Sequence, residues 1–579
     1  MQMKLAGQLG RALMLLGCLC WGGATAAAEA DPHADLFKAS PFPSAVQCGQ
    51  CHPRVFSEWA VSNHAYASIS PMFHKFEQRI NDLTQGTIGT FCVRCHQQVG
   101  TQMNEAREAP LWARSPVARE GITCVTCHRV KAEFGKVNGE RHVEPGDITA
   151  PVYNTGRGHD LPEVLANPDD YGLRSAGNPD GKVGHSAVIK FEQLGKSEFC
   201  VSCHQVAVNL GIKLEVVWDQ YRGSPASSHG TQCQDCHMGK VPGRADGFET
   251  GPIAVINGRP VGDGTARHSN HMFFGPGYPI AHPGLFPFNP KSLNWSIEDW
   301  LAFDYRAGWG DAAWEDAFTG LTEPGSLPAA WQTREARERA RVVVDQNLRA
   351  LDYKRLSRKQ VMENGSRIDG PFLSRDPRVG ESLGVRYRIT NTDDGHNLPS
   401  GSLGAQPEIW FNVALVDPDG HNVWESGYVD KAGDMADLHS TEVRTGRLEH
   451  DDQLFNLQTK FLTTNIKGTD REMYLPVNFD GDQLPFLRPA GVPTTVINHP
   501  PTVRMEGRSI PPLGWRDASY RVPGSAITKP GKYKLLARLR SRAEPIYFMR
   551  FVEATPDMEQ SINQWMLDIH PYAAELEVK

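Results

Sequence analysis

Phe91-Cys92-Val93-Arg94-Cys95-His96-Gln97 and Phe199-Cys200-Val201-Ser202-Cys203-His204-Gln205 differ at a single position. Each contains two cysteines separated by two residues and followed directly by histidine. Three more such units stand at Cys48/Cys51/His52, Cys124/Cys127/His128 and Cys233/Cys236/His237. The chain has 12 cysteines, and the two outside these motifs, Cys18 and Cys20, lie in an apolar leader. Two thiols at this spacing form thioethers to the two vinyl groups of one haem, and the adjacent histidine then sits under the iron as proximal ligand. A redox dithiol, a zinc knuckle or structural disulfides would not require histidine at a fixed place in all five units. The sequence therefore predicts five covalently bound haem c groups, with His52, His96, His128, His204 and His237 as proximal iron ligands.

Working outward, the motifs begin at 48, 92, 124, 200 and 233. Residues 91–128 and 199–237 read as an internal two-haem repeat. Ser115-Pro116, Gly121 and Cys124 match Ser224-Pro225, Gly230 and Cys233 position for position. This spacing predicts that haems two and three, and haems four and five, form close pairs.

Residues 1–28 read as a secretory signal peptide: Lys4 and Arg11, an apolar run Ala12–Trp21, then Ala24-Thr25-Ala26-Ala27-Ala28. Leu15-Leu16-Gly17-Cys18 is a competing lipoprotein-type box. Export agrees with haem attachment outside the cytoplasm. The expected location is the periplasm, with an outer-membrane-associated or extracellular destination as the alternative. No later apolar run reaches the roughly 20 residues of a spanning helix, so no transmembrane helix is expected in the mature chain. The formal charge of −7 over 579 residues, with no basic run, gives no support for a nucleic-acid partner.

Residues 29–246 are expected to form the pentahaem cytochrome c domain, mostly helix and loop and organised by haem. Residues 247–326 form a Gly/Pro-rich strap or linker with distal-ligand candidates, and 327–365 a helix of Glu, Arg and Ala. Residues 375–579 read as a β-sandwich-like domain with a C-terminal helix. Val385, Tyr387 and Ile389 alternate with polar residues there, as do Ile409, Phe411, Val413 and Leu415. Tyr533–Leu539 and Ile546–Phe551 are expected as late strands, and Met558–Asp568 as the closing helix.

The chain has 21 histidines, of which the motifs use five. His64, His185, His229, His271 and His396 are the candidates for distal haem iron ligands. His268 rivals His271, and His229 has Glu120 as its counterpart in the repeat. His396 lies in Gly395-His-Asn-Leu-Pro-Ser-Gly401 of the β region, where a loop reaching across to a haem would explain why that region stays attached. Met238, next to His237, reads as a packing residue.

Cys48-Gly-Gln-Cys-His52 with Trp59 and His64, Ser197-Glu-Phe-Cys-Val-Ser-Cys-His204, Gln232-Cys-Gln-Asp-Cys-His-Met238 and His271-Met-Phe-Phe-Gly275 resemble the multihaem cytochrome c superfamily. That superfamily includes the tetrahaem cytochrome of ammonia oxidisers, pentahaem nitrite reductase and hydroxylamine oxidoreductase. The resemblance spans residues 40 to 290 or so and implies distal-ligand roles for His64, His185 and His271. Gly395–Gly401 followed by Trp424-Glu-Ser-Gly427 is similar to the β module at the end of several secreted multihaem cytochromes. The departures are equally specific. The nitrite reductase takes lysine at its active haem, whereas every motif here ends in histidine, and hydroxylamine oxidoreductase carries eight haems, so the resemblance transfers neither activity.

The leading expectation is an electron carrier in a respiratory or extracellular chain. Its partners would be redox proteins, either other cytochromes or a quinol-oxidising membrane complex, with an outer-membrane conduit as a further candidate. The alternatives are an oxidoreductase acting on a small nitrogen or sulfur compound at one haem with an open axial position, and a surface or filament subunit. No catalytic residue is evident in the sequence.

Overall fold

Each motif closes one helical turn, which places its first cysteine, second cysteine and histidine on one face. The His52 amide donates to the Cys48 carbonyl at 3.0 Å, the His96 amide to Cys92 at 3.3 Å and the His204 amide to Cys200 at 3.1 Å. The computed structural model describes residues 40–133, 139, 141–207, 213–318, 327–401, 406–458, 460–466, 469–473, 503–506 and 508–579. The leader, with Cys18 and Cys20, lies outside the described residues.

After the first motif come α1 (Pro53–Ala60), α2 (Asn63–Tyr66) and α3 (Pro71–Leu83). Proline at the first helical position and serine N-caps set their starts: Ser62 Oγ accepts from the Ala65 amide at 3.2 Å, and Ser70 Oγ from the Phe73 amide at 3.1 Å. The later motifs sit on α4 (Val93–His96), α5 (Cys124–His128), α6 (Val201–His204) and α7 (Cys233–His237). The two halves of the repeat share local structure as well as letters. Ser115 and Ser224 each cap a four-residue turn that begins with proline, and Gly121 and Gly230 both have positive φ, +69° and +78°. At Gly121 a Cβ would lie 2.5 Å from the His64 carbonyl oxygen, so glycine permits the close passage of this segment against α2.

The strap after residue 247 forms two short hairpins, Glu249–Gly251 with Ala266–His268 and Ala254–Ile256 with Arg259–Val261. The expected helix is α8 (Arg334–Asn364), 31 residues, capped by Thr333. It starts later than residue 327 because Ala329–Trp331 forms a 3-10 turn. Its polar residues tie neighbouring segments together. Asn347 Nδ2 donates to the carbonyls of Pro283 (2.6 Å) and Pro287 (2.9 Å), Arg358 Nε to Pro276 (2.7 Å), and Asn364 Nδ2 to Pro242 (2.8 Å). Residues 41–579 consequently cluster as one unit.

The β module packs two sheets face to face. In the first, β2 (Leu383–Asn391) lies between β1 (Ser366–Leu373) and β6 (Trp515–Val522). In the second, the order is β4 (Asn422–Ser426), β3 (Glu408–Val416), β7 (Gly531–Arg542) and β8 (Leu567–Val578), with β5 (Phe455–Asn456) also on β3. Alternation along β2 buries Leu383, Val385, Tyr387 and Ile389 against Ile409, Phe411, Val413 and Leu415 of β3, which is buried on both faces, and the rings of Tyr387 and Phe411 stand 5.0 Å apart.

Two expectations for the late chain are corrected. Ile546–Phe551 is a helix, α9, not a strand. Arg550 is its single charged residue, so its six positions carry too little pattern to separate the two forms, and Pro545 occupies the N-cap position. The helix expected at Met558–Asp568 is α10 (Pro556–Gln564), and it does not close the chain. Leu567, Ile569, Leu576 and Val578 bury one face of β8, which pairs antiparallel with β7 from Gly531 to Ser541.

Candidate haem-binding site

One continuous cavity of about 1440 Å³ runs through the molecule, and all ten motif cysteines and all five motif histidines line it. Four of those histidines face a second histidine across it. Ring centres are 6.4 Å apart for His52 and His185, 6.3 Å for His204 and His64, 6.3 Å for His128 and His271, and 6.1 Å for His237 and His396. Two imidazoles on one metal, with bonds of about 2 Å, place their ring centres about 6.3 Å apart. The side chains thus fit iron held between paired imidazoles, with two thiols beside each pair.

The second nitrogen of most of these rings is occupied. Nδ1 donates to a backbone carbonyl in His52 (Ile253, 3.1 Å), His96 (Ala67, 3.3 Å), His128 (Tyr153, 2.9 Å), His271 (Ser269, 2.7 Å) and His396 (Asn397, 3.1 Å), and in His237 to Phe274. A bond at Nδ1 fixes the tautomer that leaves Nε2 free to bind a metal. Burial also favours the neutral ring: it lowers His64 to about 3 and His96, His185, His204 and His271 to about 4. Burial likewise pushes the Cys92 and Cys236 thiols up to about 12.

Sulfurs of different motifs meet. Cys48 contacts Cys124, Cys95 contacts Cys203 and Cys200 contacts Cys233. Motifs one and three, two and four, and four and five are therefore neighbours. The expected proximity of four and five is present, whereas motif two adjoins motif four through the Cys95 sulfur. The Cys95–Cys203 contact joins the two repeats.

His396 reaches His237 on a loop braced from both sides. Asn391 Nδ2 donates to the His396 carbonyl (2.9 Å), the Asn397 amide to Gln220 Oε1 (3.1 Å), and the Ala226 amide to the Asp394 carbonyl (3.2 Å). His268 instead donates to Glu58 Oε1 at 2.7 Å, which leaves His271 as the residue opposite His128. His229 is exposed, caps the turn Pro225–Ser228 and does not line the cavity, so the distal-ligand expectation is corrected there. Its repeat counterpart Glu120 is fully buried and accepts from the Ala45 amide (2.9 Å) and Thr123 Oγ1 (2.6 Å), a structural role.

His96 differs from the other four. Among the described residues no histidine ring stands across from it at the matching distance. Phe73 lies on the face of its imidazole, 4.1 Å away and within 9° of parallel, which orients the ring from the side. Sequence reasoning, which counted distal candidates, had no signal for which motif would be left without one.

Residues 47–129 match the family model described as cytochrome c554 and c-prime. That match supports a c-type cytochrome with covalently bound haem c, working in electron transfer. No curated protein matches the chain. The solved structure of the Pseudomonas fluorescens alkylpurine DNA glycosylase AlkC bound to DNA containing an abasic site analog is 8% identical, covers 42% of this chain and 39% of that one, and has a TM-score of 0.13. A likeness of that size carries no argument about this chain. Among the described residues no helix is long and apolar enough to cross a membrane.

Proposed function

We propose that the protein is an exported pentahaem c-type cytochrome that carries electrons through closely packed, mainly bis-histidine haems in a respiratory or extracellular chain. One observation carries the reading: four motif histidines each face a histidine from outside the motifs at 6.1–6.4 Å. Haem, when bound, supplies iron that gains or loses one electron.

The chain's own residues hold and tune that centre. Ten cysteines anchor it, carbonyls orient the imidazoles, and burial keeps the surroundings dry, which sets potentials through ligand identity and dielectric. The sulfur contacts link motif one to three, two to four and four to five. Cys127 lies within electrostatic reach of Cys203, which joins the two groups into one series. Redox proteins are the proposed partners, either other cytochromes or a quinol-oxidising membrane complex.

A second reading has specific support. Among the described residues no histidine stands opposite His96, which favours an open axial position at the second motif, the feature an oxidoreductase acting on a small nitrogen or sulfur compound would need. Transfer and chemistry are compatible, since a series of paired sites can feed one open site.

The carrier reading is tested by anaerobic reductive titration of the purified holoprotein, with haem counted in parallel by the pyridine haemochrome method. Uptake of five electrons per chain, matching five haems, is the expected result. An uptake of four or fewer with haem at every motif would contradict a connected carrier.

A further inference from the structure

The β module contributes a carboxyl group to the cavity that the haem anchors do not use. Glu544 lies between β7 and α9 and lines the cavity together with Tyr547 and Phe548. Its side-chain partner is Gln406, whose Nε2 donates to Glu544 Oε2, and among the described residues no ion pair involves it. The nearby Tyr66 hydroxyl is committed elsewhere: it donates to the Ile280 carbonyl at 2.7 Å and accepts from the Ile280 amide at 2.9 Å.

The stretch Tyr66–Phe76 connects this carboxyl to His96. Tyr66 is in the electrostatic field of Glu544, and the next residue, Ala67, accepts the His96 Nδ1 proton. Phe73 lies on the His96 ring, and Phe76, one helical turn further along α3, packs on Phe548 with ring centres 5.3 Å apart. A mostly apolar wall carrying a carboxyl group, next to the motif histidine that faces no other histidine among the described residues, has the composition of a small-ligand site.

We propose that Glu544, held by Gln406, is the hydrogen-bond donor of a small-ligand pocket beside His96, suited to a compact acceptor such as a nitrogen or sulfur oxyanion. This rests on the reading that His96 serves an open axial position. Burial raises the Glu544 carboxyl to about 8, with Tyr66 and Tyr547 as the titratable groups facing it, so at neutral pH it carries the proton it would donate. A donor fixed in a dry pocket favours a bound acceptor more than the same group in water does.

The test is cyanide binding to the oxidised holoprotein, followed by loss of the high-spin haem absorption, in the wild type, Glu544→Gln and Glu544→Leu. Loss of a hydrogen bond from the carboxyl is expected to raise the cyanide Kd about tenfold in Glu544→Leu. Glu544→Gln keeps an N–H donor of similar shape and should lose about threefold or less. Unchanged low-spin bands from the other haems will show that both variants are folded. Equal Kd values in all three proteins would overturn the role of Glu544 while leaving the open position standing. Absence of cyanide binding in the wild type would overturn the open position, and the pocket with it.

Discussion

Arg542→Met should lower the thermal midpoint of the β module by about 10 °C, the largest stability effect expected of any single substitution outside the haem anchors. Arg542 and Glu408 are both fully buried. Arg542 Nε donates to Glu408 Oε2 at 2.7 Å, while Nη1 donates to Asn563 Oδ1 at 2.8 Å and to the Gly433 carbonyl. Burial already lifts the Glu408 carboxyl to about 7, against the lowering pull of Arg542. Without the cation the acid takes up a proton and Gly433 and Asn563 lose a donor. Breaking a buried pair from one side costs about 3–5 kcal/mol. For a unit of some 200 residues, each kcal/mol corresponds to about 2–4 °C. Differential scanning calorimetry of the holoprotein reads the shift. The double change Arg542→Met with Glu408→Leu should recover part of it, because no unpaired charge is left behind. A shift under about 3 °C for the single change would mean that the pair contributes little.

His396→Ala should raise the number of high-spin ferric haems by one while all five stay attached. His396 stands 6.1 Å from His237, within 18° of parallel, on a loop anchored to Asn391, Gln220 and Ala226. The anchors belong to the backbone and to other side chains, so the loop keeps its place when the imidazole is removed. His229→Ala is the matched control, because that side chain is exposed and faces no motif histidine. Electron paramagnetic resonance before and after each change separates the outcomes. An unaltered spin state in His396→Ala would remove the β module from the ligand set.

The five Cys-x-x-Cys-His units were legible because their residue types and spacing fall within one helical turn. The strand at Val385–Ile389 was legible because a half-buried strand alternates, whereas Ile409–Leu415 was legible from its sequence alternation although the strand is buried on both faces. Ile546–Phe551 was misread because a six-residue, mostly apolar segment with one charge, Arg550, does not distinguish a helical period from an alternating one. His64, His185, His271 and His396 could be proposed, yet their pairing with particular motifs depends on contacts across more than 50 residues of sequence, which local patterns do not encode. The surface position of His229 was hinted at by the repeat, where the equivalent residue is Glu120. Nothing in the sequence pointed to Glu544, whose significance comes from the cavity it faces.

The account depends most on four paired irons and one open iron in a single chain. Quantitative electron paramagnetic resonance of the fully oxidised wild-type holoprotein, with spin counted against total haem, addresses it directly. Four low-spin haems and one high-spin haem per chain is the predicted ratio. Five low-spin haems, or two or more high-spin haems, would contradict it.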